Sequence, residues 1–90
     1  MDYRRIILGD HFADGVDKLD LLLSEIQSKY QKWFDERAVI TGEEEKLLNY
    51  CTVYSNPQDG TNLIHFSVDP IIPDYIASLC VAAFSEAFKQ

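Results

Sequence analysis

Basic residues are scarce in this chain. Eight lysines and arginines stand against fifteen aspartates and glutamates, giving a formal net charge of −7. A protein that gains affinity by neutralising phosphates needs a basic surface, so direct nucleic-acid binding is not expected. Anionic membrane surfaces are disfavoured for the same reason. A basic protein partner fits the charge better, because opposite fields steer encounter and suppress wrong partners. The plainer reading is that the charge keeps the protein in solution.

Cysteine is nearly absent as well. Cys51 and Cys80 lie far apart, no CxxC occurs, and two thiols do not make the dense framework of a small secreted domain. Met1-Asp2-Tyr3-Arg4-Arg5 leads into only a short apolar run, unlike a secretory signal. No segment supplies the roughly 20 apolar residues needed to cross a bilayer. A cytoplasmic location with both thiols reduced is the resulting expectation. Each cysteine sits among apolar residues, which suits a buried structural role.

The usual catalytic signatures are missing too. There is no GxGxxG, P-loop, HExxH or GxSxG sequence, and no cofactor is implied. Internal repeats and low-complexity tracts are likewise absent. What remains is enough for one domain: 90 residues, 47% hydrophobic and 26% charged. A chain this size buries roughly 60–65% of the surface its unfolded form exposes.

The pattern predicts an α+β fold, with a small antiparallel sheet packed by two helices. Phe12, Val16, Leu19, Leu23, Ile26, Tyr30 and Trp33 recur at alternating steps of four and three, one face of a helix over about 12–36. Asp10 or Asp14 can cap its start, and Gly15 is a mild cost that could move the start later. Asp17, Asp20, Ser24, Gln27 and Gln31 form its polar stripe. Strands are expected near 3–8, 48–55 and 62–69. The last two flank Asn56-Pro57-Gln58-Asp59-Gly60, dense in turn chemistry. Ile64, Phe66, Val68, Cys51 and Val53 should face the core, with Tyr50, Thr52, Tyr54, His65 and Ser67 facing outward. Residues 38–46 read either as a strand and turn or as a short helix capped by Thr41-Gly42-Glu43-Glu44, and the short helix is preferred.

A second helix is expected over about 74–88, with Pro73 in its first turn. It is apolar almost all round. So small a domain offers little interior for it, so self-association, or a partner, is expected through this helix, with Ser78, Val81, Ala82, Ser85 and Phe88 as the self-association residues.

Four groups of residues could carry function. Asp10, His11, Asp14 and Asp17 bring carboxylates and an imidazole together as hard cations require, although capping explains the acids better and no metal is assigned. His65, Ser67 and Asp69 align like a triad on paper. Residues two apart on a strand stand roughly 6.5–7 Å apart, too far for direct hydrogen bonds between short side chains, so no catalytic residue is assigned. Asp35, Glu36, Glu43, Glu44 and Glu45 form the densest acidic patch. Tyr50, Tyr54 and His65, with Tyr3, could give an aromatic outer sheet face, either an interface or a surface covered by another element.

The sequence therefore points to a small acidic protein-binding module rather than an enzyme. An inhibitor of antitoxin, immunity or anti-defence type, occupying a partner surface, fits the profile. A small metal-dependent enzyme or ligand-binding domain using the Asp10/His11/Asp14/Asp17 cluster is one alternative. A structural subunit of an oligomeric assembly is the other.

Overall fold

A computed structural model describes residues 2–8, 12–58 and 61–89, with residues 2–8 and Gln58 given as backbone only. The chain forms β1 (Asp2–Leu8), α1 (Phe12–Lys29), α2 (Gln31–Thr41), a 3-10 turn (Leu47–Tyr50), β2 (Cys51–Gln58), β3 (Thr61–Val68) and α3 (Asp74–Ala87). The three strands make one antiparallel sheet in the order β1-β3-β2. This is the α+β architecture that the alternating and helical periodicities imply.

β3 is the central strand, and its alternation sets the layers. Ile64, Phe66 and Val68 are buried, while the intervening residues are not. The register sets Cys51 opposite Val68 and Val53 opposite Phe66, placing both on the core side as expected. Helix α3 covers this face, with the rings of Phe66 and Phe84 stacked at 4.9 Å between centroids. Helix α1 contributes Leu19 and Leu23 to the same core, with Phe12, Val16 and Ile26 half-buried against it.

Two details of β2 differ from the sequence reading. It begins at Cys51, because residues 47–50 wind into the 3-10 turn. It also runs on through Pro57, which pairs with Asn62. Proline is tolerated there because β2 is an edge strand and one side of its ladder is open. Of the expected turn segment, Asp59-Gly60 lie outside the described residues.

The first helical stripe lies on the expected residues but as two helices. Tyr30 takes φ −114° and ψ 29°, ending α1 before α2 begins. Its ring packs edge-on to Tyr75 at 5.5 Å, and the Lys29 ammonium lies 5.5 Å from its centroid. Gln27 is not part of the wet stripe. It is half-buried, and its Oε1 accepts the Leu47 N–H at 2.9 Å, tying the 3-10 turn to α1.

Residues 38–46 contain no second helix. Ala38–Thr41 complete α2, and Gly42 stops it with φ 77°, its N–H donating to the Ala38 carbonyl at 2.8 Å. Glycine after the last helical residue is the usual left-handed stop. The Thr-Gly-Glu-Glu string that resembles a helix start therefore marks a helix end.

Gly15 is not a weak start but a packing requirement. It lies inside α1 and is buried beneath the Phe88 ring. That ring also stacks on Phe12 (6.1 Å) and tilts against Phe84 (5.3 Å). A broad face of α3, comprising Ile76, Ala77, Cys80, Ala83, Phe84 and the adjoining Phe88, is thus buried within its own chain.

Candidate functional site

Helix α2 is held to the body mainly by Phe34, its one buried side chain, with Trp33 half-buried and edge-on to it at 4.9 Å. The molecule measures 46 × 21 × 19 Å along its principal axes, and its radius of gyration is 13.9 Å. A compact 90-residue domain would have a radius of about 12 Å. At the end of α2, Val39 is 85% exposed and Ile40 75% exposed. Asp35 and Glu36 precede Val39 and Ile40 by one helical turn, the spacing that makes side chains neighbours on a helix. Both acids are exposed, as are Glu43 and Glu44 just past Gly42. Two branched aliphatic side chains therefore stand in water among carboxylates.

Glu45 does not share this role. Its Oε1 accepts a 2.6 Å hydrogen bond from the Thr41 hydroxyl, and its Oε2 accepts one from the Tyr50 hydroxyl. The bond from Thr41 and then that from Tyr50 hold the Glu45 carboxyl below the usual carboxylate range against the opposing effect of burial, with the Arg37 charge a smaller aid. The bond to Glu45 and burial raise the Tyr50 phenol above its ordinary value, with Arg37 opposing. Glu45 and Tyr50 thus clasp the segment from the end of α2 to the 3-10 turn. Tyr50 packs against the core and does not lie on the outer sheet face.

Tyr54 and His65 do form that face. They are cross-strand partners with rings stacked at 4.7 Å and 6° between planes. Asn56 Nδ2 lies 3.3 Å from His65 Nε2. Tyr54 is 50% exposed, so no element of the described residues covers it. Tyr3 stands in register with Phe66 rather than with His65. The acidic residues and the tyrosine-histidine pair thus sit on different elements, α2 and the sheet.

No triad forms from His65, Ser67 and Asp69. The Asp69 carboxylate instead accepts the Ile71 N–H at 3.0 Å in the turn before α3, while the His65 ring is engaged by Tyr54 and Asn56. Asp10 and His11 lie outside the described residues. Asp14 and Asp17 are exposed on α1, and no group of metal-binding side chains assembles among the described residues.

Of the self-association residues, Ser78, Ala82 and Ser85 are exposed and Val81 is half-buried. Phe88 is a correction: it is buried over Gly15 and unavailable at the surface. Leu22, Ile26, Leu79, Ala82 and Ala83 line a shallow groove of about 380 Å³ between α1 and α3, rimmed by Glu25, Lys29 and Glu86. The Val39–Ile40 pair escaped the sequence reading. The signal was present, since the helical stripe ends at Trp33 and Phe34 and leaves these two aliphatic residues off it. A polar pocket of about 320 Å³ is lined by Asn49, Tyr50, Thr52, Ser67, Val68, Asp69 and Pro70.

No helix among the described residues is long and apolar enough to cross a membrane. Comparison with protein-family models, with curated proteins and with solved structures finds no match to this chain.

Proposed function

We propose that this protein is an acidic protein-binding module that occupies a partner's surface through α2, in the manner of a small inhibitor. The observation that carries the reading is the exposure of Val39 and Ile40 beside Asp35, Glu36, Glu43 and Glu44. Aliphatic side chains supply affinity when a partner takes them out of water. The surrounding carboxylates select a partner whose apolar cleft is rimmed by lysine or arginine, and they raise the rate of encounter. No contact among the described residues buries Val39 or Ile40, so a partner that covers them gains their burial. Glu45 and Tyr50 serve the module by fixing the segment that follows α2. No catalytic activity is assigned.

The test compares capture of partners from native-host lysate by the wild type, by Val39→Ala/Ile40→Ala and by Glu36→Gln/Glu43→Gln/Glu44→Gln. A stoichiometric partner held by the wild type and lost by both variants, at unchanged folding, supports the reading. Equal capture by all three sinks it.

Self-association is a second reading, favoured by the groove between α1 and α3. The groove's rim carries charges of both signs, Lys29 with Glu25 and Glu86, so two copies offer each other opposite charges around an apolar floor. Sedimentation of the wild type and of Ala82→Arg decides it: an arginine there breaks such a dimer and leaves a monomer unchanged.

A further inference from the structure

No strand among the described residues pairs with β2 on the side away from β3, and none of residues 51–57 is fully buried. The pairing fixes which backbone groups face that open side. In an antiparallel pair, opposite residues alternate between those that exchange both hydrogen bonds and those that exchange none. The Asp69 N–H donates to the Tyr50 carbonyl at 2.8 Å, one step beyond the Cys51–Val68 pair. Tyr50, Thr52, Tyr54 and Asn56 therefore turn their backbone groups toward β3, while Cys51, Val53, Ser55 and Pro57 turn theirs outward. Two features agree with this. Pro57, which has no N–H, falls in the outward series, and the Cys51 N–H donates to the Leu48 carbonyl rather than to β3. Val53 and Ser55 thus each present a complete N–H and C=O pair to the open edge.

Native proteins blunt such edges with charged side chains, proline or a covering element. The opposite edge strand, β1, includes Asp2, Arg4 and Arg5 in its sequence. β2 carries no charged residue, and Pro57 protects only its end.

We propose that β2 pairs antiparallel with β2 of a second copy of this chain, about a two-fold axis at Tyr54. Val53 of each copy exchanges both backbone hydrogen bonds with Ser55 of the other. Tyr54 meets its counterpart in a non-hydrogen-bonded pair, where Cα atoms stand about 4.5 Å apart and side chains lie closest. The Tyr54 ring stacks on His65 toward β3, so its other face looks over the open edge, and the side chain is half-exposed. Pairing sets ring against ring there and extends the stack across the axis. Charge selects the occupant. A segment drawn by the chain's net charge of −7 would be basic and would need acids along the strand it joins, and β2 has none. Two chains this acidic repel where their carboxylates face each other, and an uncharged strand is where they can approach. The arrangement also closes on itself, because it leaves the charge-bearing β1 strands outermost. This surface is separate from α2 and from the groove between α1 and α3.

The test starts with sedimentation equilibrium of the wild type up to high micromolar concentration. A monomer should give way to a dimer, with amide exchange at Val53 and Ser55 slowing in step. Tyr54→Glu and Tyr54→Lys each set like charges at the axis, so each should sediment as a folded monomer. Mixed in equal amounts they should recover the dimer, because the introduced acid then faces the introduced base. Ser55→Pro removes an outward N–H and no bond to β3, and should also give a monomer. The wild-type mass and exchange decide the matter where a variant fails to fold. A wild type that stays monomeric would overturn the proposal, as would a dimer whose Val53 and Ser55 amides exchange as fast as in the monomer. So would a dimer lost in Ala82→Arg but kept in Tyr54→Glu, or protection of those amides only in a complex with another protein.

Discussion

Replacing Gly15 by alanine places two known effects in opposition at one position. In an exposed helix interior alanine is favoured over glycine by about 0.8–1.0 kcal/mol. Here the added methyl group would overlap the Phe88 ring, which is held between Phe12, Phe84 and the α1 backbone. Overpacking of this kind costs about 1–3 kcal/mol. If Phe88 swings out instead, the protein loses the burial of one phenylalanine, about 1.5–3 kcal/mol. The two effects leave a net loss of about 0.5–2 kcal/mol, and at about 4–8 °C per kcal/mol for a domain of this size the melting temperature falls by about 2–16 °C. The sign should reverse once the ring is gone. In a Phe88→Ala background, Gly15→Ala meets no obstacle and should stabilise by up to about 1 kcal/mol through helix propensity alone. Urea denaturation of the four proteins of this cycle measures both signs. A Gly15→Ala protein as stable as the wild type in the presence of Phe88 would refute the packing argument.

Val39→Ala/Ile40→Ala should leave stability within about 0.5 kcal/mol of the wild type in urea denaturation, since both residues face solvent. At about 0.8 kcal/mol per buried methylene, it should cost up to about 4 kcal/mol of partner binding, a several-hundred-fold change in Kd by calorimetry. The Glu45 carboxyl is more acidic folded than unfolded, so the stability it contributes is present above its unfolded pKa and is lost as pH falls through the lower folded value. Glu45→Gln should therefore flatten the acid limb of stability against pH and speed amide exchange across residues 42–50 at neutral pH. Tyr54→Ala removes the cross-strand stack on His65 and should cost about 0.2–1 kcal/mol in thermal unfolding, the range of such pairs.

Much of the fold was legible because its signals are local. The stripe from Phe12 to Trp33 and the alternation of Ile64, Phe66 and Val68 each state which face is buried within a few residues. The unreadable parts depend on contacts between distant segments. Tyr30 breaks the helix where its ring meets Tyr75, and no proline or glycine announces the break. Thr41-Gly42-Glu43-Glu44 satisfies the rules for a helix start and contains the glycine of a helix stop. The stop prevails where Glu45 reaches back to Thr41 and on to Tyr50. Those contacts also take Tyr50 and Glu45 out of the proposed surface. The last helix looked too apolar for so small a domain because Gly15 gives no hint in sequence that it makes room for Phe88. Of the candidate surface, the acids were readable from composition. The apolar pair they surround became visible only when α2 was seen to leave it uncovered.

In the proposed function α2 presents Val39 and Ile40, with exposed carboxylates one helical turn before them and just past Gly42, to a partner. The most direct test is quantitative capture from native-host lysate by the wild type and by Val39→Ala/Ile40→Ala, side by side, at low and high salt. The expected result is one stoichiometric partner on the wild type at low salt, weakened by high salt and absent from the variant, with both proteins equally folded. The same partner held equally by both proteins would contradict it, as would no partner on either.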